Sequence, residues 1–153
     1  MREILFRGKA TNRNPKQAYR TKYKNGDWVY GLITDTENYM GFAEMTNTDG
    51  VCCIDVDKNT IGQYTGLCDK NGKKIFEGDI IKQKFSLNGE EREVLSVIEY
   101  GVEYAYSNVY GVCQRFRDGS GEALPSVFDK SGMVLCEVIG NIHDNLKFLK
   151  GGE

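Results

Sequence analysis

The chain of 153 residues has little of what most catalytic and stapled proteins rely on: one histidine, one tryptophan and two prolines. A Ser-His-Asp or Cys-His mechanism would have to run through His143. The sequence holds no G-x-S-x-G, Walker loop or H-E-x-x-H. No apolar run approaches the roughly 20 residues needed to span a bilayer. The opening Met1-Arg2-Glu3-Ile4-Leu5-Phe6 has no signal-peptide h-region, so the expected compartment is the cytoplasm and no membrane partner is expected. The five cysteines, Cys52, Cys53, Cys68, Cys113 and Cys136, are odd in number, and no two form a Cys-x-x-Cys. Four of them sit in apolar runs, which suits reduced, buried thiols better than a disulfide framework or a zinc site. No metal, cofactor or catalytic residue is therefore assigned.

What is there is an ordinary globular composition, 40% hydrophobic and 27% charged, with a net charge of −2. The charge is unevenly spread. Residues 4–26 carry Arg7, Lys9, Arg13, Lys16, Arg20, Lys22 and Lys24 and no Asp or Glu. The remainder is mildly acidic, so the chain reads as a basic N-terminal arm on a weakly anionic body.

Eighteen glycines outnumber the prolines ninefold, and five follow Asn or Asp directly: Asn25-Gly26, Asp49-Gly50, Asn71-Gly72, Asn88-Gly89 and Asp118-Gly119. Such pairs favour the positive φ of two-residue hairpin turns. Between them lie β-branched and aromatic runs: Trp28-Val29-Tyr30-Gly31-Leu32-Ile33, Val94-Leu95-Ser96-Val97-Ile98-Glu99-Tyr100 and Val134-Leu135-Cys136-Glu137-Val138-Ile139. The last two are apolar on both faces, which predicts central strands. Residues 103–113 alternate, with Tyr104, Tyr106 and Tyr110 on one face. Asn141 as an N-cap, then Ile142, Leu146 and Leu149 at helical spacing and Gly151 as a stop, predict one short C-terminal helix. The fold class is thus all-β and mainly antiparallel. A polar break at residues 57–60 suggests an N-terminal β region, 1–57, and a C-terminal β region, 58–153.

Four blocks carry a family resemblance. They are Met1-Arg2-Glu3-Ile4-Leu5-Phe6-Arg7-Gly8-Lys9, Asn25-Gly26-Asp27-Trp28-Val29-Tyr30-Gly31, the long stretch from Ile61-Gly62-Gln63-Tyr64-Thr65-Gly66-Leu67 through Asp69-Lys70-Asn71-Gly72-Lys73-Lys74-Ile75-Phe76-Glu77-Gly78-Asp79-Ile80-Ile81, and Glu137-Val138-Ile139-Gly140-Asn141-Ile142-His143-Asp144-Asn145. Together, and in this order, they resemble the YopX family of small proteins from phages and prophages. Cys68 stands where a charged or polar residue is expected. The resemblance implies a mainly β fold with a barrel-like C-terminal part, and a phage or prophage accessory protein in a bacterial host cell. It brings no activity and no catalytic residue. Within the third block, strands on either side of the Asp69-Lys70-Asn71-Gly72 turn predict a hairpin. The bend at Glu77-Gly78-Asp79 into Ile80-Ile81 is of the kind found in SH3-like barrels, which places a small SH3-like barrel in the C-terminal part.

Glu77 and Asp79 are the one tempting carboxylate pair, but a turn that leaves both solvated gives no reason for their pKa values to part. Asp79 is better read as a turn residue bonding backbone N–H groups. The basic arm is more suggestive. Arg13, Lys16, Tyr19, Arg20, Lys22, Tyr23 and Lys24 interleave cations with aromatics and lead to Trp28, the residue types that phosphate contact and base stacking use; a solvated loop beside a hairpin edge uses them too. The Tyr104, Tyr106 and Tyr110 face, followed by Arg115 and Arg117, suits either stacking or a protein interface. Three readings stay open: a nucleic-acid-binding module, a protein-interaction module acting on host or phage machinery, and an enzyme of unrecognised type. A binding protein without catalysis leads, and self-association into a homo-oligomer accompanies it.

Overall fold

A computed structural model describes residues 3–11, 23–35, 42–47, 54–87, 89–100, 112–115 and 136–148. Ten strands lie among the described residues: β1 (Phe6–Lys9), β2 (Trp28–Asp35), β3 (Phe42–Asn47), β4 (Ile54–Asp57), β5 (Gly62–Cys68), β6 (Lys74–Phe76), β7 (Asp79–Leu87), β8 (Glu90–Tyr100), β9 (Val112–Arg115) and β10 (Cys136–Asn141). Every register given between them is antiparallel. The chain divides into two compact units, Met1–Tyr64 and Thr65–Glu153. The division falls inside β5 and not at the polar break of residues 57–60. That break is a 3-10 turn, Lys58–Thr60, capped by Asp57, whose side chain accepts from the Asn59 N–H.

In the first unit the strands run β4-β3-β2-β1-β5. β1 is four residues long and has a neighbour on both edges. On one edge Phe6, Arg7, Gly8 and Lys9 face Gly31, Tyr30, Val29 and Trp28 of β2. The other edge is lined by the whole run from β4 to β5. Arg7 pairs with Gly62 and Phe6 with Gln63. The Tyr64 N–H donates to the Leu5 carbonyl. The Lys9 N–H donates to Thr60 Oγ1 at 2.8 Å, filling the gap left by the 3-10 turn. Past β1, Ala10 bridges to Val56 and Thr11 donates to the Asp55 carbonyl. Ala10, Val29, Ile54 and Val56 form the buried core, with Phe6, Tyr23, Ile33 and Ile61 packed against it.

In the second unit the sheet order is β10-β7-β8-β9. The β7–β8 hairpin ends with Leu87 opposite Glu90, which leaves a two-residue loop. Gly89 there has φ +85°, the left-handed value such a turn demands and a β-carbon resists. Ile75, Ile81, Ile98, Cys136 and Val138 make the core, with Leu67 against it. Burial pushes the Cys136 thiol up to about 11, so it behaves as a small hydrophobe.

Three expectations need correction. β8 is central, but β10, which holds much of the Val134-to-Ile139 run, is an edge strand among the described strands. The turn after β5 occupies its outer edge. The Lys70 N–H donates to the Cys136 carbonyl, and the Val138 N–H donates to Asp69 Oδ2 at 3.0 Å. The C-terminal helix is absent: among the described residues no α-helix occurs. Asn141 does cap, its Oδ1 accepting from the His143 and Asp144 N–H groups, but it is the last residue of β10. A single turn follows, then a 3-10 turn at Leu146–Phe148. Leu146 is 50% exposed, so no buried stripe holds a helix this short. Finally, the described strands of the second unit close no barrel. The sheet is open, with β10 and β9 as its edges.

The predicted hairpin at residues 63–76 is present, and Asp69 organises it. Its Oδ1 accepts from the Asn71 and Lys73 N–H groups at 2.8 and 2.9 Å. Burial pushes this carboxyl up, but donors from Val138, Lys73 and Asn71, aided by the Lys73 charge, outweigh it and hold it below the ordinary aspartate value. The clamp is therefore complete above about pH 4 and is lost as pH falls through the lower folded value. Asp69→Ala is expected to cost about 3 kcal/mol at neutral pH. Urea unfolding should show the gap from wild type narrowing as pH falls below about 4; an equal gap at neutral and acid pH would mean the charge does not hold the turn. A second expectation concerns Gly140, where an added β-carbon would lie 2.6 Å from Asn145 Oδ1 and 2.9 Å from Asn145 Cβ. Gly140→Ala should lower Tm, and Asn145→Gly in the same chain should restore part of the loss.

Candidate functional site: a cation–aromatic sheet face

The first sheet has one face on its core and one turned away. Along β2 the exposure alternates: Val29 and Gly31 are buried, while Tyr30, Leu32 and Thr34 are exposed. Trp28 shares the outward row by the two-residue period of a strand. On β1 the same face carries Arg7 and Lys9, because directly opposite residues of an antiparallel pair share a side. The register sets Lys9 against Trp28 and Arg7 against Tyr30. The Arg7 guanidinium carbon lies 4.7 Å from the Trp28 ring centroid, and Lys9 Nζ lies 5.4 Å from it. Both are within cation–π range. Arg7 is only 6% exposed, whereas Tyr30 is 40% and Leu32 51% exposed. The face thus holds a buried cation, an indole gripped by two positive groups, and an open row of one ring and one aliphatic side chain.

The sequence-based candidates divide accordingly. Trp28 belongs to this face. Lys24 is exposed in the turn that feeds β2, its N–H donating to Asp27 Oδ2 at 2.7 Å. Tyr23 is half-buried and packs against the core. Arg13, Lys16, Tyr19, Arg20 and Lys22, and the row of Tyr104, Tyr106 and Tyr110, lie outside the described residues. Sequence reading counted Arg7 and Lys9 as members of a basic arm and passed over Tyr30 and Leu32. The alternation through residues 28–34 marks Tyr30 and Leu32 as outward positions, whereas Arg7 and Lys9 join them only through the β1–β2 register.

Other polar groups have structural employment. Asp79 is buried, not solvated, and its Oδ2 accepts from the Phe76 N–H at 2.8 Å. Between Glu77 and Asp79, Gly78 donates to the Ile98 carbonyl and accepts from the Ile142 N–H. His143 is half-buried near Gly78. Among the described residues no cluster of His, Cys, Asp or Glu could hold a metal ion, and no helix is long and apolar enough to cross a membrane.

The sequence pattern of the YopX protein family matches residues 17–150, most of the chain. The chain belongs to the YopX family. No curated protein matches it. Within this YopX-family chain the matched stretch includes β2 and its outward row, whereas β1, with Arg7 and Lys9, precedes it.

The tryptophan of this face is the chain's single one, so its fluorescence reports the site directly. Arg7→Leu is expected to alter Trp28 emission and to destabilise the fold. A double-mutant cycle with Trp28→Phe should give a coupling of about 0.5–2 kcal/mol between the two side chains. A coupling near zero would mean the contact contributes nothing.

Proposed function

We propose that this YopX-family protein acts by binding, without catalysis, and that its ligand is a nucleic acid held by the first unit. The observation that carries this reading is the convergence of charge and aromatics. A run of seven cations without an acid, residues 4–26, supplies both Arg7 and Lys9 beside Trp28 and the exposed Lys24 at the entrance to β2. Phosphate neutralisation and base contact use these groups. Asp79, one of the two carboxylates that suggested acid–base chemistry, is buried and engaged at a turn, which favours binding over catalysis. Family membership supports a phage or prophage accessory protein working in the bacterial cytoplasm. The strand order of the first unit, with a 3-10 turn between fourth and fifth strands and the fifth beside the first, supports an SH3-like reading for that unit and not for the C-terminal part. Exposed Ile4, Tyr30 and Leu32 are compatible with self-association, which sedimentation at tens of micromolar decides.

The test is binding of labelled DNA and RNA, single- and double-stranded, to the whole protein. If about four phosphates are neutralised, affinity should fall roughly 50- to 150-fold between 50 and 200 mM salt. Replacing Arg20, Lys22 and Lys24 together by Ala should flatten that dependence. No binding to any of the four at low salt would end the nucleic-acid reading and turn the search to a protein partner of the tyrosine row.

A further inference from the structure

Building on the nucleic-acid reading above, we infer that the ligand is single-stranded and that Tyr30 and Leu32 are its platform, each receiving one unstacked base. Consecutive outward positions on a strand lie about 6.8 Å apart. Stacked bases in one strand of a duplex rise about 3.4 Å. Two platforms at twice the stacking distance match neighbouring bases that have come apart, and do not match bases held in a stack. Tyr30 is 40% and Leu32 51% exposed, so both can be covered without displacing the core beneath, where Val29 and Ile33 face the other way.

Trp28 is not the platform. Two cations stand over its ring, at 4.7 and 5.4 Å, so its role is to fix positive charge beside the row. Arg7 sits opposite Tyr30 in the register, one strand spacing of about 4.8 Å away. Buried as it is, it contributes field and holds the indole. Lys9 and Lys24 are accessible and supply the phosphate contacts. Positive charge thus stands at one end of the base row, with Arg7 opposite Tyr30, Lys9 opposite Trp28 and Lys24 in the turn before β2. That pairing complements a polyanion with flat apolar rings, and it has no use for a duplex whose rings are hidden.

The experiment compares one 20-nucleotide DNA strand with the same sequence as a duplex, by fluorescence anisotropy at a single low salt concentration. The wild-type protein should bind the single strand at least ten times more tightly. Tyr30→Ala should weaken single-strand binding about 10-fold or more, leave its salt slope unchanged and leave duplex binding unchanged. Tyr30→Phe should retain it, and Leu32→Ala should weaken it less than Tyr30→Ala. Unchanged Trp28 emission certifies that each variant keeps the face. Equal binding of both forms, or indifference to Tyr30→Ala, would overturn this inference while leaving the nucleic-acid reading standing. Absence of binding to either form, and to the RNA strand and RNA duplex of the same sequence, would overturn both.

Discussion

The first unit depends on β1 having both of its edges satisfied. A four-residue strand offers few backbone groups, and each one left unpaired indoors costs as much as a lost hydrogen bond. β2 takes one edge. The other edge is taken piecewise: β5 by Phe6 and Arg7, the Thr60 hydroxyl by the Lys9 N–H, and β4 by Ala10 and Thr11. Thr60 is the joint in this arrangement. It accepts from Lys9 and donates to the Asp57 carbonyl at 2.7 Å, so the 3-10 turn passes β1 without leaving a bare donor. With both edges fixed, the pleat allows β1 no choice of face. Phe6, Gly8 and Ala10 must turn to the core, and Arg7 and Lys9 must turn outward over Trp28. The cation–aromatic face is therefore a consequence of backbone pairing.

In the second unit one carboxylate performs the comparable service at a sheet edge. Unprotected edges invite pairing with other chains. On β10 the outward N–H of Val138 is occupied by Asp69 and the outward carbonyl of Cys136 by the Lys70 N–H. Lys73 Nζ reaches the Val138 carbonyl at 3.4 Å. The turn thus imitates a neighbouring strand with a side chain and a loop. The Lys70–Glu137 ion pair, 2.7 Å long but exposed, adds little beside the hydrogen bonds.

Local chemistry was legible in the sequence. The Asn71-Gly72 and Asn88-Gly89 turns and the strands they join could be read because turn type and β-propensity act over a few residues. The family was legible for the same reason, since its blocks are short and ordered. What escaped was set by contacts far apart in the chain. Asp69 and Val138 are 69 positions apart, and nothing near either announces that the turn will cover an edge, so an apolar run looked like a central strand. Residues 141–151 carry a cap, a helical spacing and a stop, yet a helix this short needs a surface to lie on, and the exposure of Leu146 and Phe148 shows that none receives it. Arg7 and Lys9 were visible as charge but not as part of a site, because register alone sets them against Trp28 and Tyr30.

The two kinds of charge are put to different uses. Asp57, Asp69 and Asp79 each accept from backbone N–H groups at a turn, which removes them from the surface chemistry and binds them to the architecture. Arg7 and Lys9 instead flank an aromatic ring on an outward face, and Lys24 stands in solvent. A net charge of −2 then says little about what the first sheet meets. At physiological ionic strength exposed charges more than about 8 Å away are screened, so an approaching polyanion responds to the local sign. Between residues 4 and 26 that sign is positive throughout. A mildly acidic chain can therefore still set two cations along one strand, while Asp57, Asp69 and Asp79 are turned to the architecture.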